Sequence, residues 1–407
     1  MEANRDVNPP LSRIRVLEFC IGAAGPTAAR CLSEYGAEVI RVESRARPDV
    51  HRGGFDETRW NKTPSFAKLH RNKKSITIDM STEAGRSVAL ELVRHSDVVI
   101  ENFSLGVLER WGLDYETIAA ANPRIILLRL KGMGLTGPRA ADVAWGPNLC
   151  ALFGQTYLWN HPNSDVPSGE ARTQHPDFMS GVVGANAVVA ALIQRERTDH
   201  GQLIDEAETE VAAWLLGPTY LEYLFNGTDP LPIGNVRSDA VPCGVYPCAG
   251  DDKWCVIAVE TDAQWLQFRR AIGDPEWCHG QGFDDTETRI ANRDRIDKYI
   301  AKWTAGRSSR EVFEILQDNG VPAAPIQDVL DQLDDPHFKQ RGAFTTLNEP
   351  EMGLVTTETP PIRTSNGFPR IVHTAPLMGE HTEEVLRTVL GLSAAEIANL
   401  TTAGALF

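Results

Sequence analysis

Ile14-Arg15-Val16-Leu17-Glu18-Phe19-Cys20-Ile21-Gly22-Ala23-Ala24-Gly25-Pro26 is the stretch that decides the fold. Residues 14–19 form a short apolar run of the kind that makes a buried strand. Gly25-Pro26 then opens a helix, because proline suits the first helical turn, where its missing N–H is not needed. The helix runs to about Gly36, and residues 37–43 form a second apolar run. The alternation recurs downstream. Residues 75–80, 97–102 and 124–131 read as further strands, with helices at 82–96, 106–112 and 115–122. Apolar strands separated by helices predict an α/β fold with a parallel, doubly wound sheet.

Past this region the pattern changes. Helices are expected at 177–196 and 205–225, separated by a polar turn at 197–202. A Pro/Gly-rich linker at 226–234 leads to a strand–turn–strand pattern at 244–259 and to helices at 263–272, 289–304 and 309–319. The tail is Pro-rich and extended until helices near 383–390 and 394–400. These changes divide the chain into residues 1–227, a small α+β domain at 228–325, and a C-terminal part at 326–407.

The chain has 407 residues and a net charge of −15, which argues against a general nucleic-acid partner. Residues 1–139 nevertheless carry 21 Lys and Arg against 17 Asp and Glu. A mildly basic first third in an acidic protein suits an anionic small molecule. No unbroken apolar run approaches ~18 residues, so no membrane span is expected. The polar opening Met1-Glu2-Ala3-Asn4-Arg5-Asp6 has no signal-peptide character, and seven scattered cysteines read as reduced thiols of a cytoplasmic protein.

Asp177 is the leading functional candidate. It lies in Gln174-His175-Pro176-Asp177-Phe178-Met179-Ser180-Gly181, at the head of an expected buried helix. A carboxylate there meets apolar surroundings on one side and the positive end of the helix dipole on the other. The same residue type is also an ordinary helix cap. Glu43 stands 21 residues after Gly22, a distance at which an acid can bind a ribose hydroxyl. The glycine pattern for a dinucleotide is missing, however, and Pro26 lacks the N–H that a pyrophosphate would need. Cys243, Cys248 and Cys255 are spaced unlike zinc ligands and read as core residues, so no metal is expected. Arg71-Asn72-Lys73-Lys74 precedes one strand, and Arg41, Arg45 and Arg47 flank the end of another. Both groups are candidates for phosphate binding or for an ordinary solvated face.

Taken in order, several segments resemble the class III CoA-transferases, the formyl-CoA transferase-like family. They are residues 14–19 with Gly25-Pro26, then Gly36-Ala37-Glu38-Val39-Ile40-Arg41-Val42-Glu43, Asn72-Lys73-Lys74-Ser75-Ile76, Asp97-Val98-Val99-Ile100-Glu101-Asn102-Phe103 and Gly112-Leu113-Asp114-Tyr115-Glu116. Asn122-Pro123-Arg124, Gly132-x-Gly134-x-x-Gly137-Pro138, Gly201-Gln202-x-x-Asp205, Gly320-Val321-Pro322-Ala323-Ala324-Pro325 and Gly379-Glu380-His381-Thr382 continue the series. The resemblance implies a large Rossmann-like domain built from both chain ends, an inserted small domain, and an interlocked homodimer.

It also implies a reaction. CoA would pass from an acyl-CoA thioester to a free carboxylic acid through an acyl anhydride and an aspartyl-CoA thioester on Asp177. No cofactor would be tightly bound, since coenzyme A enters as a substrate. Its contacts carry over to Arg45, Ile78, Asn102, Phe103 and Arg110, with Ile78 and Phe103 flanking adenine and Arg110 meeting a phosphate. Two departures argue against formyl or oxalate specificity. Ala23 stands where those enzymes have a glutamine, and residues 234–244 hold little glycine. The rival reading on the same fold is a 2-methylacyl-CoA racemase, whose catalytic histidine has no counterpart in Ala141-Asp142-Val143-Ala144-Trp145-Gly146-Pro147-Asn148. A non-catalytic CoA-binding subunit is the third reading.

Overall fold

The computed structural model describes residues 8–166, 175–279 and 282–407. The chain divides into two compact units. One comprises Met1–Gln155, Glu170–Thr228 and Lys339–Phe407; the other comprises Thr156–Gly169 and Asp229–Phe338.

The first unit is built on six parallel strands: β1 (Arg15–Phe19), β2 (Glu38–Glu43), β3 (Lys73–Thr77), β4 (Val98–Glu101), β5 (Ile126–Lys131) and β6 (Gln202–Ala207). Their order is β3-β2-β1-β4-β5-β6. The chain therefore leaves β1 in one direction and returns to its other side with β4, which makes a topological switch point between them. Successive residues of a strand face opposite sides of a sheet, and both sides are covered here. Leu17, Ile40, Ile76 and Leu127 pack on one side with Val88, Leu92, Val385 and Leu386. Val16, Val39, Val98, Ile126 and Leu128 pack on the other with Ala28, Leu32, Ala185 and Val188. The C-terminal segment closes onto the sheet edge, where Leu406 bridges Ile78 and the Asp79 N–H donates to the Ala405 carbonyl at 2.9 Å.

The helices that bear on the site are α1 (Ala24–Glu34), α2 (Glu83–Arg94), α3 (His175–Thr198), α4 (Glu208–Leu215) and α5 (Gly217–Asn226). Helix α1 opens with Pro26 in its first turn, as the sequence predicts. Helix α3 packs on α1 and β5. By length and mean hydropathy α3 is apolar enough to cross a bilayer, although its apolar stretch is not unbroken. Half of that window is buried inside the unit, the behaviour of a core helix.

The sequence reading needs correction in three places. Residues 205–225 are not one helix: Gln202–Ala207 is a sixth strand, and α4 and α5 follow it. Residues 289–304 break at Asn292 into Thr286–Ala291 and Arg293–Ala305. The tail holds an antiparallel hairpin, β10 (Phe344–Glu349) with β11 (Gly353–Glu358), where an extended segment was expected. In the second unit β7 (Cys243–Pro247), β8 (Trp254–Ala258) and β9 (Ala323–Pro325) make a small antiparallel sheet. Cys248 and Cys255 lie in its core with Trp265, Phe268 and Ile300.

Candidate active site

The carboxyl ends of all six strands open into one cavity of about 970 Å³ in the first unit. Residues 19–24 end and follow β1, Glu43, Ser44 and Ala46 to Asp49 end and follow β2, Ile78 to Ser81 follow β3, and Asn102 to Leu105 follow β4. Lys131 and Gly132 end β5, and Glu208 follows β6. This is where an open α/β sheet binds its ligand.

Asp177 lines the cavity from the first turn of α3, inside the helix rather than at its cap. It is 7% exposed, and its Oδ1 has no hydrogen-bond partner among the described residues. Burial pushes its carboxyl up to about 6, while a hydrogen bond with Glu208 works in the opposite direction. Asp177 is thus ionised at neutral pH, yet more basic than a solvated aspartate. Helix α3 can come this close to α1 because residue 181 is glycine. A Cβ there would lie 2.5 Å from Thr27 Cβ and 2.7 Å from the Ala24 carbonyl oxygen.

Glu208, the first residue of α4, is buried beside Asp177. Burial, the charge of Asp177 and Glu206, and the hydrogen bond to Asp177 push its carboxyl up to about 8. Glu206 is buried next to it on β6, neither oxygen has a partner among the described residues, and burial alone pushes it up to about 8. Its carboxyl lies against Gly184 of α3, where a Cβ would be 2.7 Å from Oε2 and within 3.3 Å of Leu128 and Leu130 side-chain atoms.

The other expected contacts fall as follows. Phe103 is half-buried, set edge-on against Trp111 at 5.3 Å, and lines the cavity with Ile78, which is fully buried. Asn102 also lines the cavity, but its amide is engaged at both ends with Ile21. Arg110 is exposed on the cavity wall. Arg45 is exposed and stands outside the lining, whereas its neighbours Ser44, Ala46 and Arg47 are part of it. No carboxylate pairs with Arg47 or Arg110 among the described residues.

The cationic cluster does not precede β3 but runs into it, since the strand is Lys73–Thr77 rather than 75–80, and it is not free to bind phosphate. Arg71 is buried on Glu34 at 2.7 Å, Lys73 on Glu18 at 2.8 Å, and Lys74 bonds Glu38 and Glu384. Arg41 is likewise buried between Glu18 and Asp49, each at 2.6 Å, and Glu43 is held by Arg52. These ions fold the loop after β2 against the sheet, so Glu43 is not available to a ribose.

Glu206, Glu208 and Trp145 escaped the sequence reading. Trp145 lies over Gly22, where a Cβ would be 3.8 Å from its ring. The sequence carried no signal for the two acids, because Gln202-Leu203-Ile204-Asp205-Glu206-Ala207 lacks strand alternation and its acids resemble the first turn of a helix.

Comparison with known proteins places the fold in a family. The model of CoA-transferase family III matches residues 11–382. A succinyl-CoA–D-citramalate CoA-transferase of Chloroflexus aurantiacus is 32% identical over 96% of this chain and 96% of its own. A probable CoA-transferase of Mycobacterium tuberculosis is 33% identical over 96% of this chain, which spans half the length of that relative. The crystal structure of a CAIB/BAIF family protein from Brucella suis superposes with a TM-score of 0.84 at 30% identity, covering 94% of this chain and all of that one.

Proposed function

The chain belongs to CoA-transferase family III, and we propose that it moves CoA from an acyl-CoA thioester to a free carboxylic acid, with Asp177 as the nucleophile. The observation that carries this reading is Asp177 itself: buried, with one oxygen unpartnered among the described residues, at the point where six strand ends converge.

An Asp177 oxygen attacks the thioester carbonyl, the C–S bond breaks, and CoA leaves as thiolate with the bonding pair. The thiolate then attacks the Asp177 carbonyl carbon. The anhydride C–O bond breaks and the donor acid departs as carboxylate, leaving an aspartyl-CoA thioester. The acceptor carboxylate runs the two steps in reverse. Activation is conserved throughout, so no nucleotide triphosphate is consumed. Burial of Asp177 raises its basicity and keeps water from the anhydride.

Arg47 and Arg110 supply unpaired cations for the CoA phosphates, and Ile78 and Phe103 supply apolar wall for the adenine. The succinyl-CoA-dependent relative favours the thioester of a small dicarboxylic acid as donor and a related small acid as acceptor. Among the described residues lining the cavity there is no histidine, which weighs against a racemase exchanging an α-proton between an aspartate and an imidazole.

Two copies would form the interlocked homodimer. Trp214, Leu224 and Phe225 of α4 and α5 are each more than 70% exposed, apolar surface that a partner copy would cover.

The test is exchange between succinyl-CoA and a panel of carboxylic acids, read by mass spectrometry, with hydroxylamine added to trap the adduct. Transfer with modification at Asp177, both lost in Asp177→Ala, is expected. Turnover that survives Asp177→Ala would defeat the proposal, and α-deuterium uptake without transfer would point to the racemase.

A further inference from the structure

Three carboxyl groups meet at one end of the sheet, and they come from three elements: Asp177 from α3, Glu206 from β6 and Glu208 from α4. All are at least nine-tenths buried. Among the described residues no cation faces Glu208. Helix α3 presents Asp177, and β6 presents Glu206. The helix Gly146–Leu152, which packs on α4, carries no charged residue. Lys131 at the end of β5 is bound by Glu101 at 2.6 Å. Three clustered, buried carboxylates with no counter-ion among the described residues cannot all be charged. Burial raises both glutamates further than Asp177, which favours the charge on Asp177 and the protonated form of its neighbours. Glu208 shares both the cavity wall and a hydrogen bond with Asp177, so its hydroxyl is the donor.

We propose that Glu208 is a catalytic residue, the hydrogen-bond donor that stabilises the oxyanion formed on the Asp177 carbonyl each time CoA thiolate adds to it or leaves it. The inference rests on the transferase reading above. Its force comes from which oxygen carries the charge. In the resting enzyme Glu208 bonds an Asp177 carboxylate, and in the anhydride and the aspartyl thioester it faces a neutral carbonyl. When the thiolate adds, sulfur bonds to the Asp177 carbon, the C=O π pair moves onto the Asp177 oxygen, and that oxygen becomes a full anion. Collapse returns the pair and expels the carboxylate. The Glu208 proton stays on Glu208 throughout, so no base or co-reactant is needed. A donor that binds the oxyanion more tightly than the carbonyl lowers the barrier of both half-reactions. The positive end of α4 lies at the same place and adds to the effect.

The experiment compares Glu208→Ala and Glu208→Gln with wild type in CoA exchange from pH 6 to 9.5. Glutamine keeps an N–H donor and cannot ionise. Glu208→Ala should lose roughly 10²–10³-fold in kcat, the usual effect of removing one oxyanion donor, with KM for acyl-CoA little changed. Wild type should lose activity as pH rises through about 8, and Glu208→Gln should retain most of the activity without that alkaline loss. An independent readout is the infrared carbonyl band of a protonated carboxyl, present in wild type at pH 7 and weakened in Glu208→Gln. The proposal is overturned if Glu208→Gln keeps the wild-type alkaline limb, if Glu208→Ala stays within twofold of wild-type kcat, or if the band is unchanged. Wild type that exchanges no CoA and traps nothing on Asp177 overturns the transferase reading instead, whatever the infrared spectrum shows.

Discussion

Asn102 clamps Ile21 in both directions: the Ile21 N–H donates to Asn102 Oδ1 at 2.9 Å, and Asn102 Nδ2 donates to the Ile21 carbonyl at 2.7 Å. The two residues lie just past the ends of β4 and β1, on either side of the switch point. One amide therefore shapes the loop whose residues 20–24 line the cavity.

Asn102→Ala should remove both bonds and leave the Ile21 groups partly buried. At about 1 kcal/mol for each net hydrogen bond, the loss is about 2 kcal/mol. KM for acyl-CoA should rise several-fold, while hydroxylamine still traps Asp177. Urea denaturation and steady-state kinetics check the pair of effects, and a variant as stable as wild type would show that the clamp contributes nothing.

Arg47 and Arg110 are exposed and pair with no carboxylate among the described residues, so their removal should not disturb the fold. If they meet phosphates, each charge-assisted contact is worth ~1.5–3 kcal/mol. Arg110→Ala should then raise KM for acyl-CoA about 10-fold or more with Tm unchanged. Arg47→Ala should do the same more weakly at high salt, because exposed charges are screened. KM within twofold of wild type for both variants would remove the cations from the binding model.

Stability should fall at alkaline pH because of Glu206. For an acid whose folded pKa is raised, the folded state holds the proton more tightly than the unfolded state. Its contribution is therefore fully present below the ordinary glutamate range and is lost as pH rises through about 8. A shift of that size corresponds to roughly 3–5 kcal/mol. Denaturant midpoints should decline from pH 6 to 9 in wild type and decline less in Glu206→Gln. His70 sets the acid limb. It is buried 3.2 Å from Lys73 Nζ, and burial together with Arg41 pushes it well below its ordinary range. A base held neutral in this way contributes stability above the usual imidazole pKa, and that contribution is lost as pH drops.

Five of the six strands were legible, four because buried parallel strands are nearly continuous apolar runs, as in Ile126-Leu127-Leu128-Arg129-Leu130, and the third from the alternation at 75–80, although that strand is Lys73–Thr77. The sixth lies at the sheet edge, and Asp205 and Glu206 make it resemble the acidic first turn of a helix. Asp177 could be found because it stands at the head of an unusually apolar helix. Glu208 could not, since its role depends on β6 ending beside α3. Arg71 and Lys73 misled for the opposite reason. Their charges look free in sequence, but Glu34 and Glu18, their partners, lie on other elements about forty and fifty-five residues away.

Gly181 ties the fold to the chemistry, and its substitution is the sharpest test of that link. In a helix interior alanine is favoured over glycine by about 1 kcal/mol, so Gly181→Ala should stabilise α3 if nothing else touched it. A Cβ at 181 would instead overlap Thr27 Cβ and the Ala24 carbonyl oxygen, and the latter is backbone that cannot rotate away. Relief requires α3 to back away from α1, at about 1–3 kcal/mol for overpacking. Asp177 sits one turn earlier on the same face of α3 and would move with it. Because positioning errors of about 1 Å can lower turnover 10²-fold, kcat should fall far more than KM rises. Gly184→Ala should behave differently, since its Cβ meets the Glu206 carboxyl rather than the first turn of α1. A stable Gly181→Ala enzyme with wild-type kcat would mean that contact between α3 and α1 does not place the nucleophile.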